Sequence, residues 1–209
     1  KREGLFLTNR DFYQKNKINL LQGISAVAID SEKQIVELSD NNQVSYDRLL
    51  IATGSSARKL SICDPDLPGL YTLKTIADAD GILARTDSKK DILILGGGLI
   101  GLQSANALAG ANHKVSIVIG SSQVMSQNID HQCSIILSNA LQDRKFKVLY
   151  QTSVVEIESV ANKLNVTLND GNVLTVDVVI AGKGVIPNTQ MTEGSGIKTN
   201  WGILVNRSM

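Results

Sequence analysis

The stretch Asp91-Ile-Leu-Ile-Leu-Gly-Gly-Gly-Leu-Ile-Gly101 decides how the rest of the chain is read. Ile92 to Leu95 is an unbroken apolar run, as expected of a strand buried on both faces. Gly96-Gly-Gly98-Leu-Ile-Gly101 then satisfies G-x-G-x-x-G, and Leu99 to Ala109 has the spacing of a helix. A lone match of this kind is weak, but here it follows a strand and opens a helix, which is the context the motif requires. The glycines act separately. Gly96 permits the tight turn, Gly98 lets backbone amides approach a pyrophosphate, and Gly101 lets the helix lie close to the strand. Ser104, Ala105 and Ala107 keep that helix face small. Gly96, Gly97, Gly98, Leu99, Ile100 and Gly101 are therefore expected to cradle a dinucleotide, with free amides and the positive helix end facing phosphate. The alternative is a strand–turn–helix that binds nothing, or binds S-adenosylmethionine.

Working outward, Val115 to Ile119 reads as the next strand of the same unit. About 20 residues after the glycine turn, a carboxylate usually accepts hydrogen bonds from the adenosine ribose. Here the chain has Ile119-Gly120-Ser121-Ser122, with no acid and no arginine to mark a 2′-phosphate site. Ile119, Gly120 and Ser121 are expected at the ribose end, with Ser121 and Ser122 free to donate to phosphate oxygens. That arrangement implies little discrimination between NADH and NADPH, or a mild preference for NADPH, and Ile119→Glu is expected to turn it toward NADH. Further on, Ile129, Cys133, Ile136, Ala140 and Leu141 share one face of a helix, which places Cys133 in the core.

Upstream, Ser25–Ile29 and Gln34–Leu38 read as short strands joined through an Asp40-Asn-Asn42 turn to Asp47–Gly54, a buried strand ending in glycine. A connector from Ser55 to about Ser88 contains Pro65 and Pro68, and Thr75 to Arg85 has helical spacing. These upstream strands repeat. Displaced by 130 positions, Lys17, Lys33, Val36, Leu38, Asp40, Asn42, Asp47 and Gly54 meet Lys147, Lys163, Val166, Leu168, Asp170, Asn172, Asp177 and Gly184 without a gap. Strands, Asp-Asn turn and closing glycine agree in one register, so the chain is read as carrying an internal duplication. A one-domain dehydrogenase would have no such repeat. By the same repeat, the glycine turn of the first copy would fall before Lys1.

Tyr46-Asp-Arg-Leu-Leu-Ile-Ala-Thr-Gly54, Leu67-Pro-Gly-Leu-Tyr-Thr-Leu73, the glycine turn, Asp177-Val-Val-Ile-Ala, Gly184-Val-Ile-Pro-Asn188 and Gly202-Ile-Leu-Val205 occur in that order. Together they resemble the FAD-dependent pyridine nucleotide-disulfide oxidoreductases, nearest the branch of nitrite reductase large subunits, rubredoxin and ferredoxin reductases, and NADH oxidases. The resemblance implies an α/β fold: a doubly wound, Rossmann-like NAD(P)-binding domain with a β-meander, plus a partial FAD-binding domain. It implies residues 1–82 in the FAD domain, 83–185 in the NAD(P)H domain, and 186–209 returning to the FAD domain. The FAD glycine motif and any redox cysteine are expected before Lys1, and the Gly-Asp motif after Met209. On this view the given chain is a fragment that neither holds FAD nor turns over alone. By position, Ala52, Thr53 and Gly54 would lie along FAD, and Ala26 would meet its adenine. Gly184 and Val185 would line the nicotinamide side, where Gln103 replaces a frequent glutamate and can orient a carboxamide. The implied reaction passes hydride from NAD(P)H to FAD, then electrons to an acceptor, either a small protein or a small molecule. The competing reading is a non-enzymatic, nucleotide-sensing module with a decayed site.

Composition narrows the remaining classes. A formal net charge of +1 leaves no basic footprint for nucleic acid or anionic membrane, and three Phe, four Tyr and one Trp offer little base-stacking surface. Cys63 and Cys133 are too distant for a CxxC motif, and two histidines make a metal site unexpected. His113 is expected in solvent and Trp201 in packing. The chain reads as soluble and cytoplasmic, compatible with a homo-oligomer.

Overall fold

The computed structural model describes Thr8, residues 11–111 and residues 113–208. The ends of the expected FAD-domain segments, residues 1–7, 9, 10 and 209, lie outside the described residues. The chain divides into two compact units, one discontinuous (up to Gly54, then from Pro187) and one running from Ser55 to Ile186.

The first unit contains helix α1 (Asp11–Lys15) and an antiparallel sheet of β1 (Ala26–Asp30), β2 (Ile35–Leu38) and β3 (Gln43–Ser45). A 3-10 turn at Gln190–Thr192 belongs to it as well. The expected strand over Asp47–Gly54 does not form: no strand is assigned there, and Leu50 is 80% exposed. An apolar run becomes a strand only when neighbouring strands take its amides and carbonyls. Among the described residues none pairs with it. Thr53 and Asn188 instead bind each other: Thr53 Oγ1 donates to the Asn188 carbonyl (2.6 Å), and Asn188 Nδ2 to that of Thr53 (2.9 Å).

In the second unit, Ser55–Ala57 (β4) pairs with the late strand Val185–Pro187 (β13). Leu70–Tyr71 (β5) leads to helix α2 (Ile76–Arg85), whose start is a capping box. Thr75 Oγ1 accepts from the Asp78 amide and the Asp78 carboxylate accepts from the Thr75 amide, which explains why the helix begins there. Then come β6 (Asp91–Leu95), α3 (Leu99–Ala109), β7 (Lys114–Val118), α4 (His131–Asp143) and β8 (Lys147–Leu149). An antiparallel meander follows, β9 (Val154–Val160), β10 (Lys163–Leu168) and β11 (Val173–Val176), before β12 (Val178–Ala181).

The parallel sheet has the order β5-β12-β6-β7-β8. The sheet built from residues 91–119 and 147–181, with its meander, is thus as expected, and Leu70–Tyr71 adds an edge that the sequence pattern did not reveal. Alternate residues of the strands serve two cores. Ile92, Ile94, Val115, Ile117, Val178 and Ile180 meet helix residues Ile82, Ala105, Leu108 and Leu141. Leu93, Leu95, Val118 and Val179 meet Ile157, Leu164, Val166 and Leu168 of the meander. The compact unit that holds this sheet runs from Ser55 to Ile186 and includes β5.

Helix α4 presents a different face from the expected one. Ser134 and Leu141 are buried with Leu137 and Ser138 partly so, whereas Cys133 is exposed and Ile136 is 70% exposed. Two hydroxyls occupy the inward stripe, each with a partner: Ser134 Oγ donates to the Val124 carbonyl (3.2 Å), and Ser138 Oγ accepts from the Tyr150 hydroxyl (3.0 Å). Apolar periodicity misreads a face built on satisfied hydroxyls.

The duplicated turns agree atom for atom. Asn42 and Asn172 each donate their amide to the aspartate two residues earlier (3.1 and 3.0 Å) and their side-chain nitrogen to its other oxygen (2.8 Å in both). The central residues Asn41 and Gly171 both adopt positive φ, 65° and 84°. The copies diverge at their charges. Asp177 accepts from the Asp91 amide (2.8 Å) and stands 3.4 Å from Lys163 Nζ, whereas the equivalent Lys33 pairs with Asp30 at 2.7 Å.

Burial by itself would raise the Asp177 carboxyl, but the Asp91 hydrogen bond and the Lys163 charge outweigh it and hold it below the ordinary aspartate value. A lowered folded value stabilises the fold above the unfolded pKa, and that stability is lost as pH falls through the folded value. Asp177→Asn should therefore flatten the fall in unfolding free energy below about pH 4, measured by urea titration across acid pH. Burial makes a second prediction. Ile180→Ala, at a site with 0% exposure, should cost the second unit about 2–5 kcal/mol. At the repeat-equivalent position, Leu50→Ala should change the first unit by less than about 0.5 kcal/mol.

Candidate functional site

Strands β6 and β12 are neighbours, but the chain leaves β6 toward β7 on one side and returns in β12 on the other. A crevice opens where strand order reverses, outside the carboxyl ends of the strands. There the structure has a cleft of about 360 Å³ lined by Gly96–Ile100, Ile119–Ser121, Met125–Asn128 and Gly182–Gly184. A larger hollow of about 420 Å³ lies beside β5, with Lys59, Asp66 and Asp78 on its walls. In that hollow Lys59 pairs with Asp66 (3.8 Å) and Asp78 caps α2. The other cleft opens at the switch point and carries the glycine turn, so the glycine-lined cleft is the candidate site.

The glycines divide their work much as expected. Gly96 has a φ of 118°, and a Cβ there would collide with the Gly182 carbonyl. A Cβ on Gly101 would run into the Gly96 carbonyl, so α3 approaches the turn as closely as backbone allows. A Cβ on Gly97 would stand 2.6 Å from Ile119 Cδ1. Gly98 alone of the four has nothing within 4 Å of an added Cβ. The open space thus lies in front of Gly98, where the helix starts. Leu102 N donates to the Gly98 carbonyl (3.0 Å) as the first helical bond, so the amides from Gly98 to Gly101 have no intrahelical acceptor. Such amides and the helix dipole suit a phosphate.

Met125 to Asn128 form a wall that the sequence pattern did not reveal. Met125, at φ 51°, donates its amide to the Gly97 carbonyl (2.8 Å) and ties this segment to the turn. No motif marks it, because the tie is between backbone atoms.

The segment expected at a ribose, Ile119–Ser121, lines the cleft in a different way. Ile119 is only 2% exposed; its side chain packs beneath Gly97 and joins the helix-side core. It forms the floor of the cleft, so a glutamate there would carry its charge into apolar packing. Ser121 Oγ donates to the Gln123 carbonyl (2.7 Å), which occupies its proton. With its proton on that carbonyl, the Ser121 oxygen turns its lone pairs, and so an acceptor, to the cleft.

Other expected residues fall outside this cleft. Gln103 is exposed on α3 and does not line it; Gly184 does, whereas half-buried Val185 does not. Ala26, Ala52, Thr53 and Gly54 belong to the first unit, and all are exposed. Gly54 has a φ of 65° with nothing within 4 Å of an added Cβ.

Lys183, which no motif marks, also lines the cleft. It is exposed overall, yet protein packed around it pushes its ammonium below the ordinary lysine range. The thiols do not form a reactive pair. Burial, then the Asp64 charge, raises Cys63; the hydrogen bond and charge of Asp130 raise Cys133. His113 is half-buried, not in solvent: its Nδ1 accepts from the Lys90 amide (3.2 Å), and its buried Nε2 has no partner among the described residues. Trp201, expected in packing, is 70% exposed. The described residues contain no group of side chains suited to a metal, and no described helix is long and apolar enough to cross a membrane.

Switch-point cleft, glycine turn and appended meander define a dinucleotide-binding α/β protein. Residues 7–209 match the family model for pyridine nucleotide-disulphide oxidoreductases, and the chain belongs to that family. It is 30% identical over 207 residues to the assimilatory nitrate reductase electron transfer subunit of Bacillus subtilis (strain 168), covering 99% of this chain and 27% of that protein. It is 31% identical over 207 residues to the NADH-dependent phenylglyoxylate dehydrogenase subunit epsilon of Aromatoleum evansii, covering 99% and 49%. Putidaredoxin reductase, solved in covalent complex with putidaredoxin, superposes with a TM-score of 0.95 at 30% identity, covering all of this chain and 52% of that one. The chain thus spans between about a quarter and a half of these relatives.

The glycine geometry predicts opposite outcomes for two similar substitutions. Gly101→Ala should lower the melting temperature by several degrees, because backbone must move. Gly98→Ala should leave it within about one degree, since the new methyl meets open space. Thermal melts followed by circular dichroism distinguish them.

Proposed function

We propose that this chain binds NADH in the glycine-lined cleft and belongs to a flavoprotein that passes hydride from NADH to FAD, then electrons to a redox partner. The observation that carries the reading is the empty space before Gly98, bounded by helix-start amides and placed at the topological switch point. An intact cradle of this kind speaks against a decayed, purely sensory module. Sequence similarity to electron-transfer and NADH-dependent subunits supports the oxidoreductase reading. A small redox protein is the partner class favoured by the resemblance to putidaredoxin reductase.

Within that reading, Gly96–Gly101 hold the pyrophosphate, and Gly120 and Ser121 meet the adenosine ribose. NADH is preferred over NADPH for two reasons. Ser121 presents an acceptor, which suits a 2′-hydroxyl and opposes a phosphate. Lys183, among the described residues the one charged group lining the cleft, stands at the β12 end, away from that ribose. Gly184 borders the nicotinamide half; Val185 and Gln103 are assigned to that half on the resemblance alone.

FAD, when bound, accepts the hydride and hands on electrons singly or in pairs. Ala52, Thr53 and Gly54 fit a flavin along their backbone: the segment is exposed, Gly54 leaves space, and Asn188 holds Thr53 in place. Ala26 is proposed at the adenine.

Calorimetric titration tests the nucleotide reading. NADH should bind more tightly than NADPH, and Gly98→Ala should weaken NADH at least tenfold without unfolding the chain. Ser121→Ala should cost NADH about 1 kcal/mol, roughly fivefold, and narrow its advantage over NADPH. Absence of binding by either nucleotide would overturn the proposal.

A further inference from the structure

Lys183 has no role in the motif logic of a glycine turn, yet its position is tightly determined. Gly182, just before it, donates its amide to the Leu95 carbonyl (2.8 Å) and sets its own carbonyl where a Gly96 side chain would begin. A Cβ on Gly182 would lie 3.4 Å from Gly101 Cα. Lys183 therefore leaves the sheet at the phosphate turn, on the β12 side of the crevice, with Ile119–Ser121 on the β7 side.

The electrostatics are one-sided. Among the described residues, those lining the cleft are otherwise uncharged, and the helix start contributes positive amides. A partly desolvated ammonium beside them, with no carboxylate in the lining, is unfavourable until an anion arrives. A dinucleotide laid across the crevice puts adenosine over β7 and its pyrophosphate over β6, so the phosphate on the nicotinamide side comes nearest β12.

We propose that Lys183 is a specificity-determining residue of this cleft, its ammonium pairing with the nicotinamide-side phosphate and selecting diphosphate-bearing ligands over mononucleotides. This rests on the nucleotide reading of the cleft. A charge-assisted hydrogen bond to phosphate is among the stronger polar contacts. Arginine can replace it here because one cation at one phosphate suffices.

The test measures dissociation constants of NADH, NAD+, ADP-ribose and AMP by calorimetry at two salt concentrations, for the wild type, Lys183→Met and Lys183→Arg. Lys183→Met should weaken NADH, NAD+ and ADP-ribose alike by about tenfold, leave AMP within about twofold, and reduce the salt dependence, with the melting temperature unchanged. Lys183→Arg should retain most of the affinity. Unchanged NADH binding in Lys183→Met overturns the proposal, as does a loss shared equally by AMP, which would mean a structural role. Weaker NADH with tighter NAD+ would also overturn it, showing that the charge reads the nicotinamide ring. If the wild type binds none of the four, the nucleotide reading itself falls; if it binds all four and only the variant pattern fails, that reading stands and the Lys183 role falls.

Discussion

Backbone meets backbone where β6, β12 and α3 converge, and the site depends on that contact. The Gly96 carbonyl fills the place of a side chain on Gly101, and the Gly182 carbonyl the place of one on Gly96. Three residues without Cβ atoms draw a helix start and two strand ends together. The approach aims the unpaired amides of α3 at the crevice, and it directs Lys183 toward the same space. Any larger residue at this junction would widen it and swing the amides away from a phosphate.

The sheet that supplies this junction is stable because both faces are covered, by helices on one side and the meander on the other. Its strands can therefore be apolar at every position, as Val178–Ala181 is. The first copy of the repeat shows the dependence from the other direction. Its meander folds with the same turn hydrogen bonds, since these are local to Asp40–Asn42. Arg48–Ile51, counterpart of the buried β12, forms no strand and leaves Leu50 exposed, because among the described residues no sheet receives it. Equivalent sequences thus reach different structures according to what packs on them.

Charge in the cleft follows from a similar economy. After β7, at Ile119–Ser122, the chain carries neither the acid nor the arginine that commonly reads a nucleotide ribose. What the cleft presents is the Ser121 hydroxyl, which donates to the Gln123 carbonyl, together with Lys183 at the β12 end.

Much of the fold was determined by the sequence itself. The apolar run of β6, the glycine spacing, the helical spacing after Thr75 and the Asp-Asn turns act over a few residues, so their chemistry can be read in order along the chain. The glycines of the cradle were legible for that reason. Tertiary structure alone decided the rest. It turned α4 so that Ser134 and Ser138, not Cys133 and Ile136, face inward, because hydroxyls with partners pack as readily as apolar groups. It sank Ile119 beneath Gly97, tied Met125 to the turn through backbone atoms, and brought Lys183, just past β12, to the glycine turn. Those contacts join residues far apart in sequence, and no spacing rule encodes them. Which residues a crevice gathers depends on strand order, and strand order exists only once the sheet has formed.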